Sequence, residues 1–257
     1  MLELNKIYNM DCVQGMKLLD DCSVDLTVTS PPYDNLRSYK GFEFDFESVA
    51  KELYRVTKQG GVVVWIVGDA TVKGSETGTS FKQALYFKEI GFNLHDTMIY
   101  AKNGGLPINC QRYNPSFEYM FIFTKGKVKT FNPLLIECRQ AGKTSTGTQR
   151  QKNGTLKIKT GYGKPTKNNK TKDNVWIYEI GFNKTTKDKI AFQHPAIFPE
   201  QLAQDHITSW SNENDLVLDC FMGSGTIAKM AKANNRQYIG FELSEEYCQI
   251  AEQRLRT

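Results

Sequence analysis

The sequence DLVLDCFMGSGT, residues 215–226, contains the junction between a predicted strand (215–220) and a predicted helix (224–234). Glycines at such a junction let the backbone approach a ligand closely, and the first turn of a helix presents free N–H groups. Residues 223–228 fit the G-x-G-x-x-G/A pattern that is typical of dinucleotide binding. The stretch therefore predicts a ligand-binding loop, and a tight turn without a ligand is the alternative.

The position of this loop in the chain restricts the fold. Only 32 residues follow Gly225, and they contain one further predicted strand, which ends at Glu242. A carboxylate at that point is suited to binding the hydroxyls of a ribose. A nicotinamide-dependent dehydrogenase would need further strands after this unit. The missing strands must come from the N-terminal half, which predicts a circularly permuted α/β domain.

Apolar runs and helical periodicity predict the other elements. VVVWIV (62–67) is a continuous apolar run of the kind found in buried parallel strands. Strands that alternate with helices of roughly 10–15 residues favour a parallel sheet, and the N- and C-terminal parts are expected to share it. The predicted strands are 23–29, 62–67, 94–100, 117–125, 215–220 and 236–242, and the predicted helices are 46–58, 80–92, 199–210, 224–234 and 244–255.

Basic residues are concentrated in one part of the chain. Residues 125–189 contain 16 Lys and Arg side chains and 4 acidic ones, whereas the rest of the chain has 17 basic and 24 acidic residues. A segment with a net charge of +12 in an otherwise acidic chain indicates a polyanionic partner. Residues 138–172 have few large apolar side chains, so they are either a solvated insertion or a segment that becomes ordered on nucleic acid.

The overall composition excludes several classes of protein. The 257 residues are 40% hydrophobic and 24% charged, which predicts a folded domain with its own core. The six cysteines and three histidines are scattered and include no C-x-x-C pair, which argues against a structural zinc site or a disulfide framework. No apolar run approaches the length of a membrane span, and no secretory signal is present. We expect a cytoplasmic protein with reduced thiols, no metal site and no membrane partner.

A second motif, SPPY at residues 30–33, follows the predicted strand 23–29. Ligands of open α/β sheets bind at the carboxyl ends of strands. The two prolines fix φ and remove two N–H donors, so the carbonyls of this turn are free to face a ligand. The Ser30 hydroxyl and a neighbouring carbonyl would form a paired acceptor site, and Tyr33 would offer a stacking face. A rigid turn with an incidental tyrosine is the alternative.

The order of these motifs resembles that of the β-group DNA amino-methyltransferases, which transfer a methyl group from S-adenosylmethionine to an exocyclic amino group. In that family SPPY precedes a D-x-F-x-G-x-G loop, and a recognition segment lies between the two. The similarity covers most of the chain. Further segments that resemble the family are NMDC (9–12), SVDL (23–26), NVW (174–176), HPAIFP (194–199) and YIGFE (238–242).

The resemblance implies a circularly permuted, Rossmann-like methyltransferase sheet with helices on both faces. It also implies an inserted target-recognition region. The catalytic part would be residues 1–124, the basic target-recognition region 125–190, and the part that binds S-adenosylmethionine 191–257.

The resemblance also implies roles for individual residues. The Ser30 side chain and the Pro31 carbonyl would accept hydrogen bonds from the target amino group, and Tyr33 would stack on a flipped base. Glu242 would bind the ribose hydroxyls, and Asp11 would lie near the adenine amino group, cap the helix predicted at 12–19, or do both. The implied catalytic residues are Ser30, Pro31, Pro32 and Tyr33, and the implied cofactor-binding residues are Asp11, Cys12, Ser30, Phe198, Asp219, Phe221, Gly223, Ser224, Gly225, Thr226 and Glu242.

The first residue of the tetrapeptide bears on the target base. Ser is commonest there in the family's cytosine-N4 enzymes, and Asp or Asn in its adenine-N6 enzymes, so we predict cytosine-N4 methylation with adenine-N6 as the alternative. Methylation of cytosine C5 would require an activated cysteine after a proline, and no proline precedes a cysteine. An RNA-directed methyltransferase, a DNA-binding protein without activity and a nicotinamide oxidoreductase are further alternatives.

The resemblance implies double-stranded DNA as the macromolecular partner. In a restriction-modification system a cognate restriction endonuclease would be a second partner. The family includes dimers, so the chain is expected to act as a monomer or a homodimer.

Overall fold

A computed structural model describes residues 2–32, 44–104 and 111–256. Over these ranges the central sheet has eight strands: β1 Lys6–Asn9, β2 Val24–Thr29, β3 Thr57–Val67, β4 Asn93–Asn103, β5 Phe117–Thr124, β6 Val175–Glu179, β7 Leu216–Asp219 and β8 Gln237–Glu242. Their spatial order is β1-β8-β7-β2-β3-β5-β4-β6. All neighbouring strands are parallel except β5, which is antiparallel to both β3 and β4.

Helices cover both faces of this sheet. The helices are α1 Cys12–Lys17, α2 Phe46–Val56, α3 Thr79–Glu89, α4 Glu200–Trp210, α5 Thr226–Ala233 and α6 Glu245–Arg256, with a 3₁₀ helix at Lys189–Gln193. Helices α1, α2 and α3 form one layer, and α4, α5 and α6 form the other. A short hairpin pairs Thr71–Val72 with Ser75–Glu76.

The two-sided burial of β3 explains its continuous apolar sequence. Val63, Trp65 and Val67 belong to the core cluster beneath α1, α2 and α3. Val62, Val64 and Ile66 alternate with them and are equally buried, so they face the opposite layer. The Trp65 indole Nε1 donates to Gln83 Oε1 at 2.9 Å, which satisfies the polar atom of this buried ring.

The order of the strands confirms the predicted fold class. Strands β7 and β8, from the C-terminal part of the chain, lie between β1 and β2 from the N-terminal part. The two parts therefore build one sheet in a permuted order. This arrangement places the ends of β2, β7 and β8 side by side, which is the edge where the two sequence motifs meet.

Two strands of the described central sheet were not predicted, and the prediction of a parallel sheet was incomplete. Strand β1 has four residues, of which only Ile7 is buried, so its apolar pattern is too short to detect. Strand β6 lies at the edge of the sheet and buries Trp176 and Tyr178 alone. Strand β3 is parallel to β2, as predicted, but antiparallel to β5, because local sequence carries no information on strand direction.

Residues Pro133–Asp173 form a compact unit of their own, here called the basic unit. Two short antiparallel ladders build it, one between Leu135–Glu137 and Asn169–Thr171 and the other between Thr148–Arg150 and Leu156–Ile158. Every residue of these four strands is exposed. The rest of the described chain, including the whole central sheet, belongs to the other unit.

Candidate active site

A cavity of about 1080 Å³ opens at the carboxyl ends of the parallel strands. It brings together most of the residues that the sequence singled out. Gly225 does not line the cavity, and Tyr33 lies outside the described residues. The predicted residues that line it are Asp11, Cys12, Ser30, Pro31, Pro32, Phe198, Asp219, Phe221, Gly223, Ser224, Thr226 and Glu242.

The glycine loop, residues 223–226, connects β7 to α5 and is buried throughout. Gly223 and Gly225 have φ values of 50° and 78°, in the left-handed region that favours glycine. A Cβ on Gly225 would lie 2.6 Å from the Ala251 Cβ of α6, and a Cβ on Gly223 would lie 2.9 Å from His194 Nε2. Both glycines are therefore required by the backbone conformation and by the space around it.

Glu242 ends β8 and is fixed over the glycine loop. The Gly223 N–H donates to Glu242 Oε2 at 2.8 Å, and the Ser244 N–H donates to Oε1 at 2.9 Å. Burial raises the pKa of Glu242 above its usual value, although these N–H donors act in the opposite direction. Each carboxylate oxygen retains a second lone pair, so this side chain can accept further hydrogen bonds from a ligand in the cavity.

A buried hydrogen bond joins the two motif-bearing strands. The Thr29 hydroxyl, at the end of β2, donates to Asp219 Oδ1 at 2.6 Å, and the Phe221 N–H donates to the same oxygen at 3.0 Å. Burial raises the pKa of Asp219 to about 7, although both of these donors lower it. Because Thr29 immediately precedes Ser30, this bond fixes the start of the SPP turn relative to the glycine loop.

Asp11 has the capping role that the sequence offered as one interpretation. Its Oδ1 accepts a hydrogen bond from the Gln14 N–H at 3.0 Å at the start of α1. The residue is half-buried and also lines the cavity, so its remaining carboxylate oxygen can serve a ligand. Burial raises the pKa of the adjacent Cys12 thiol to about 12, so this sulfur is neutral and adds apolar surface to the wall.

The HPAIFP segment, residues 194–199, forms another wall of the cavity. His194 Nδ1 lies 2.9 Å from the Ala196 carbonyl oxygen and 3.1 Å from the Ala196 nitrogen. The ring therefore stabilises the turn at residues 194–196. The ring also packs edge-on against Tyr247 of α6, with 4.4 Å between the centroids. These contacts leave Phe198, half-buried, facing the same space as the glycine loop.

A family model described as DNA methylase matches residues 24–253. The chain belongs to the DNA methylase family. This membership confirms the predicted resemblance to the β-group amino-methyltransferases, with S-adenosylmethionine as the methyl donor and DNA as the substrate.

Individual relatives agree with this membership. Orphan methyltransferase M.BamHII of Bacillus amyloliquefaciens is 58% identical to this DNA methylase over 243 residues, which are 93% of the chain and 91% of the relative. Type II methyltransferase M.BglII of Bacillus subtilis is 30% identical over 260 residues, which are 97% and 68% of the two chains.

Solved structures show the same fold. The M1.HpyAVI–SAM complex has a TM-score of 0.64 and 25% identity, over 98% of this chain and 99% of that one. The cytosine-N4-specific PvuII DNA methyltransferase has a TM-score of 0.70 and 20% identity, over 97% and 85% of the two chains. The methylase therefore shares its sheet and helix layers with these enzymes.

Several cavity residues of the methylase were not predicted from the sequence. Tyr100 and Lys102 come from the end of β4, and Phe117 and Glu118 from the start of β5. Lys102 donates to Glu118, so these charges neutralise each other at the cavity wall. The antiparallel pairing of β4 with β5 brings these residues together, and a signal for this pairing is absent from the local sequence.

In residues 2–32, 44–104 and 111–256 no group of three or more His, Cys, Asp or Glu side chains is arranged to bind a metal ion. No helix in those ranges is long and apolar enough to cross a membrane.

Proposed function

We propose that this methylase transfers the methyl group of S-adenosylmethionine to the N4 amino group of cytosine in duplex DNA, with the target base flipped out of the helix. One observation carries the proposal: the SPP turn and the glycine loop open into one cavity, and the ends of the strands that precede them are joined by the Thr29–Asp219 hydrogen bond. A methyl acceptor at the turn and a methyl donor at the loop would then lie next to each other.

The residues around the glycine loop fit the cofactor. S-adenosylmethionine supplies an electrophilic methyl group on a positively charged sulfur. The loop would contact this ligand through its backbone groups at the start of α5. A Cβ at position 223 would collide with His194, so only glycine fits there. We assign Glu242 to the ribose hydroxyls, Asp11 to the adenine amino group and Phe198 to the apolar wall.

The SPP turn fits an exocyclic amino group. The lone pair of such a nitrogen is delocalised into the base, so the nitrogen is a poor nucleophile until it rehybridises. The Ser30 hydroxyl and the Pro31 carbonyl would accept hydrogen bonds from its two N–H groups and favour that change. Ser30 is half-buried and Pro31 is buried, so these acceptors are partly shielded from competing water. Much of the rate increase would come from positioning.

The target base is assigned from the turn as well. Ser30 in the first position of the tetrapeptide supports cytosine N4, and adenine N6 is the alternative within the same family. A base inside a duplex is inaccessible, and flipping it out costs a few kcal/mol. Stacking on the aromatic ring of Tyr33 would recover about 1–3 kcal/mol of this cost.

The basic unit supports duplex DNA as the partner. Its sequence contains ten Lys and Arg residues and two acidic residues, and nine of the ten basic residues are exposed. Lys and Arg side chains neutralise phosphates and give salt-dependent affinity. We assign target recognition to this unit because backbone contacts position a protein on DNA and nearby polar side chains then contact the bases.

Methyl transfer to duplex DNA tests the proposal. The protein is incubated with S-adenosylmethionine carrying a labelled methyl group and with duplexes of random sequence, and the DNA is then digested to nucleosides for mass analysis. We expect labelled N4-methylcytosine, and we expect the Ser30→Ala variant to produce far less of it. Labelled N6-methyladenine would select the alternative. Unmethylated DNA, under conditions where the protein binds the cofactor, would refute both.

A further inference from the structure

Arg254, in the last turn of α6, is buried beneath the glycine loop. Its side chain has no exposed surface, and a buried guanidinium is destabilising unless it is paired and hydrogen-bonded. Nε donates to Asp188 Oδ2 at 3.0 Å, and Nη2 donates to Glu200 Oε1 at 2.8 Å. These two carboxylates compensate its charge, and the third nitrogen of the guanidinium makes a separate set of contacts.

That third nitrogen, Nη1, binds the glycine loop. It donates to the Ser224 carbonyl oxygen at 2.6 Å, to Ser224 Oγ at 3.1 Å and to Thr226 Oγ1 at 3.0 Å. Ser224 and Thr226 line the cavity, whereas Arg254 does not. The guanidinium therefore contacts the loop from behind, on the side away from the ligand space.

A second contact from the same helix face supports the loop. Ala251 lies three residues before Arg254, on the same face of α6. Its Cβ occupies the space next to Gly225, so the two backbones approach too closely for any side chain at that position. The loop thus rests on α6 at Gly225 and is hydrogen-bonded to it at Ser224 and Thr226.

A second cation completes the cluster. Lys229 of α5 lies 2.6 Å from Asp188 Oδ2 and 2.9 Å from Glu200 Oε1, so two carboxylates face two cations. Burial alone would raise the pKa of Asp188, but the hydrogen bonds from Lys229 and Arg254 leave it below its usual value. The Thr186 hydroxyl also donates to Glu200 Oε1, at 2.7 Å. The cluster therefore connects the segment before α4, which carries Thr186 and Asp188, with helices α5 and α6.

We propose that Arg254 is a positioning residue for methyl transfer, because its guanidinium fixes the backbone of residues 224–226 in the cofactor-binding conformation before the cofactor arrives. The inference rests on the proposed function, which assigns this loop to the cofactor. Arginine suits the role because its planar fork presents five donors in fixed directions, so one side chain can bind two carboxylates and a loop at once. A lysine could bind either the carboxylates or the loop.

The test compares Arg254→Met, Arg254→Lys and the control Arg256→Met. Arg256 is on the same helix, and its side chain is exposed, with an ion pair to Glu252 at 3.8 Å. Two quantities are measured: amide hydrogen exchange of residues 222–227 in the cofactor-free protein, and the Kd for S-adenosylmethionine by calorimetry. For Arg254→Met we expect faster exchange confined to the loop and its neighbours, and a Kd raised by at least about tenfold.

The two remaining variants sharpen the result. We expect Arg254→Lys to give an intermediate Kd and Arg256→Met to match the wild type. A folded Arg254→Met protein with wild-type loop exchange and wild-type Kd would overturn the proposal, and so would faster exchange spread evenly over the whole chain. If Arg254→Met does not fold, Arg254→Lys decides in the same way, with a wild-type Kd as the refuting result.

The outcome also separates this inference from the function on which it rests. If the wild-type protein fails to bind S-adenosylmethionine, the proposed function is refuted, and the exchange of the loop still shows whether Arg254 fixes it. If the wild type binds the cofactor and the variants bind equally well, the role of Arg254 alone is refuted.

Discussion

The cavity around the glycine loop and the basic unit Pro133–Asp173 are stabilised in opposite ways. The loop residues 223–226 are all buried, and side chains from β8 and α6 fix their backbone. In the basic unit every residue of the four short strands is exposed, and its ladders consist of backbone hydrogen bonds. Both regions are rich in glycines with positive φ, so the difference lies in what surrounds the backbone.

The two regions differ because their proposed tasks have different physical requirements. Methyl transfer depends on atoms placed to within a fraction of an ångström, so its residues need rigid neighbours. Phosphate binding depends on charge, which acts over several ångströms and tolerates mobile side chains. Substitutions at the cavity should therefore change catalysis or stability strongly, and substitutions in the basic unit should have graded effects on DNA affinity.

The largest expected effect is that of Ser30→Ala on the rate of methyl transfer. The change removes one proposed acceptor for the target amino group, and loss of a single such electrostatic contact typically costs roughly 10²–10³-fold in rate. Single-turnover kinetics at saturating cofactor and DNA would measure it. Lys157→Gln in the basic unit is the comparison and should leave this rate within about twofold. Equal rates for Ser30→Ala and the wild type would remove Ser30 from the mechanism.

The second effect is expected from alanine substitutions at two glycines that have nearly the same backbone conformation. Gly225 and Gly163 have φ values of 78° and 76°, but a Cβ on Gly163 would meet nothing within 4 Å. Alanine should cost about 1–2 kcal/mol of unfolding free energy at either site because of the left-handed backbone. At Gly225 the clash with Ala251 should add about 1–3 kcal/mol.

Urea denaturation and cofactor titration would distinguish the two glycine variants. We expect Gly225→Ala to weaken binding of S-adenosylmethionine and Gly163→Ala to leave it unchanged. Equal losses of stability at the two sites, with equal cofactor affinities, would show that the contacts around the loop contribute neither to stability nor to cofactor binding.

The third effect is expected in the pH dependence of stability. The pKa of Asp219 is raised from an ordinary 3.8 to about 7, so the folded state binds this proton more tightly than the unfolded state. The contribution of Asp219 to stability is therefore greatest below pH 4 and falls as the pH rises toward 7, by roughly 4 kcal/mol at 1.36 kcal/mol per pKa unit. Above pH 7 it is constant.

Asp219→Asn should remove this slope. Its amide oxygen can still accept from the Thr29 hydroxyl and the Phe221 N–H, so the fold retains both hydrogen bonds. Urea denaturation between pH 4 and 8 would measure the difference from the wild type, with Asp173→Asn in the basic unit as the matched control. Parallel curves for Asp219→Asn and the wild type would contradict the assigned proton affinity.

The smallest effect is expected in the basic unit itself. Replacing Lys157 with glutamine should weaken DNA binding modestly and to the same extent for all sequences. It should also reduce the slope of log K against log salt concentration by about 0.9, the value for one phosphate contact. Lys51→Gln, at an exposed site on α2, is the control for net charge. Anisotropy titrations at several salt concentrations would show whether Lys157 meets a phosphate.

The parts of the fold that the sequence predicted are those with local signals. The glycine loop, the buried strand β3 and helix α2 each follow from periodicity or turn chemistry within about a dozen residues. The antiparallel direction of β5 and the edge strand β6 could not be predicted, because partners distant in sequence determine them. Arg254 was missed for the same reason. Its partners at positions 188, 200 and 224 are separated from it by 30 to 66 residues.

The interleaved order of the sheet has a consequence for synthesis of the protein on the ribosome. Strand β1 is made first, but in the described sheet its neighbour is β8, whose last residue is Glu242. The nascent chain must therefore be synthesised from the end of β2 at Thr29 to the end of β8 at Glu242 before both strands that lie between β1 and β2 are present. Contacts this distant in sequence slow folding and leave apolar strand edges uncovered. We expect this methylase to depend on chaperones while it is being made, and its activity to appear late.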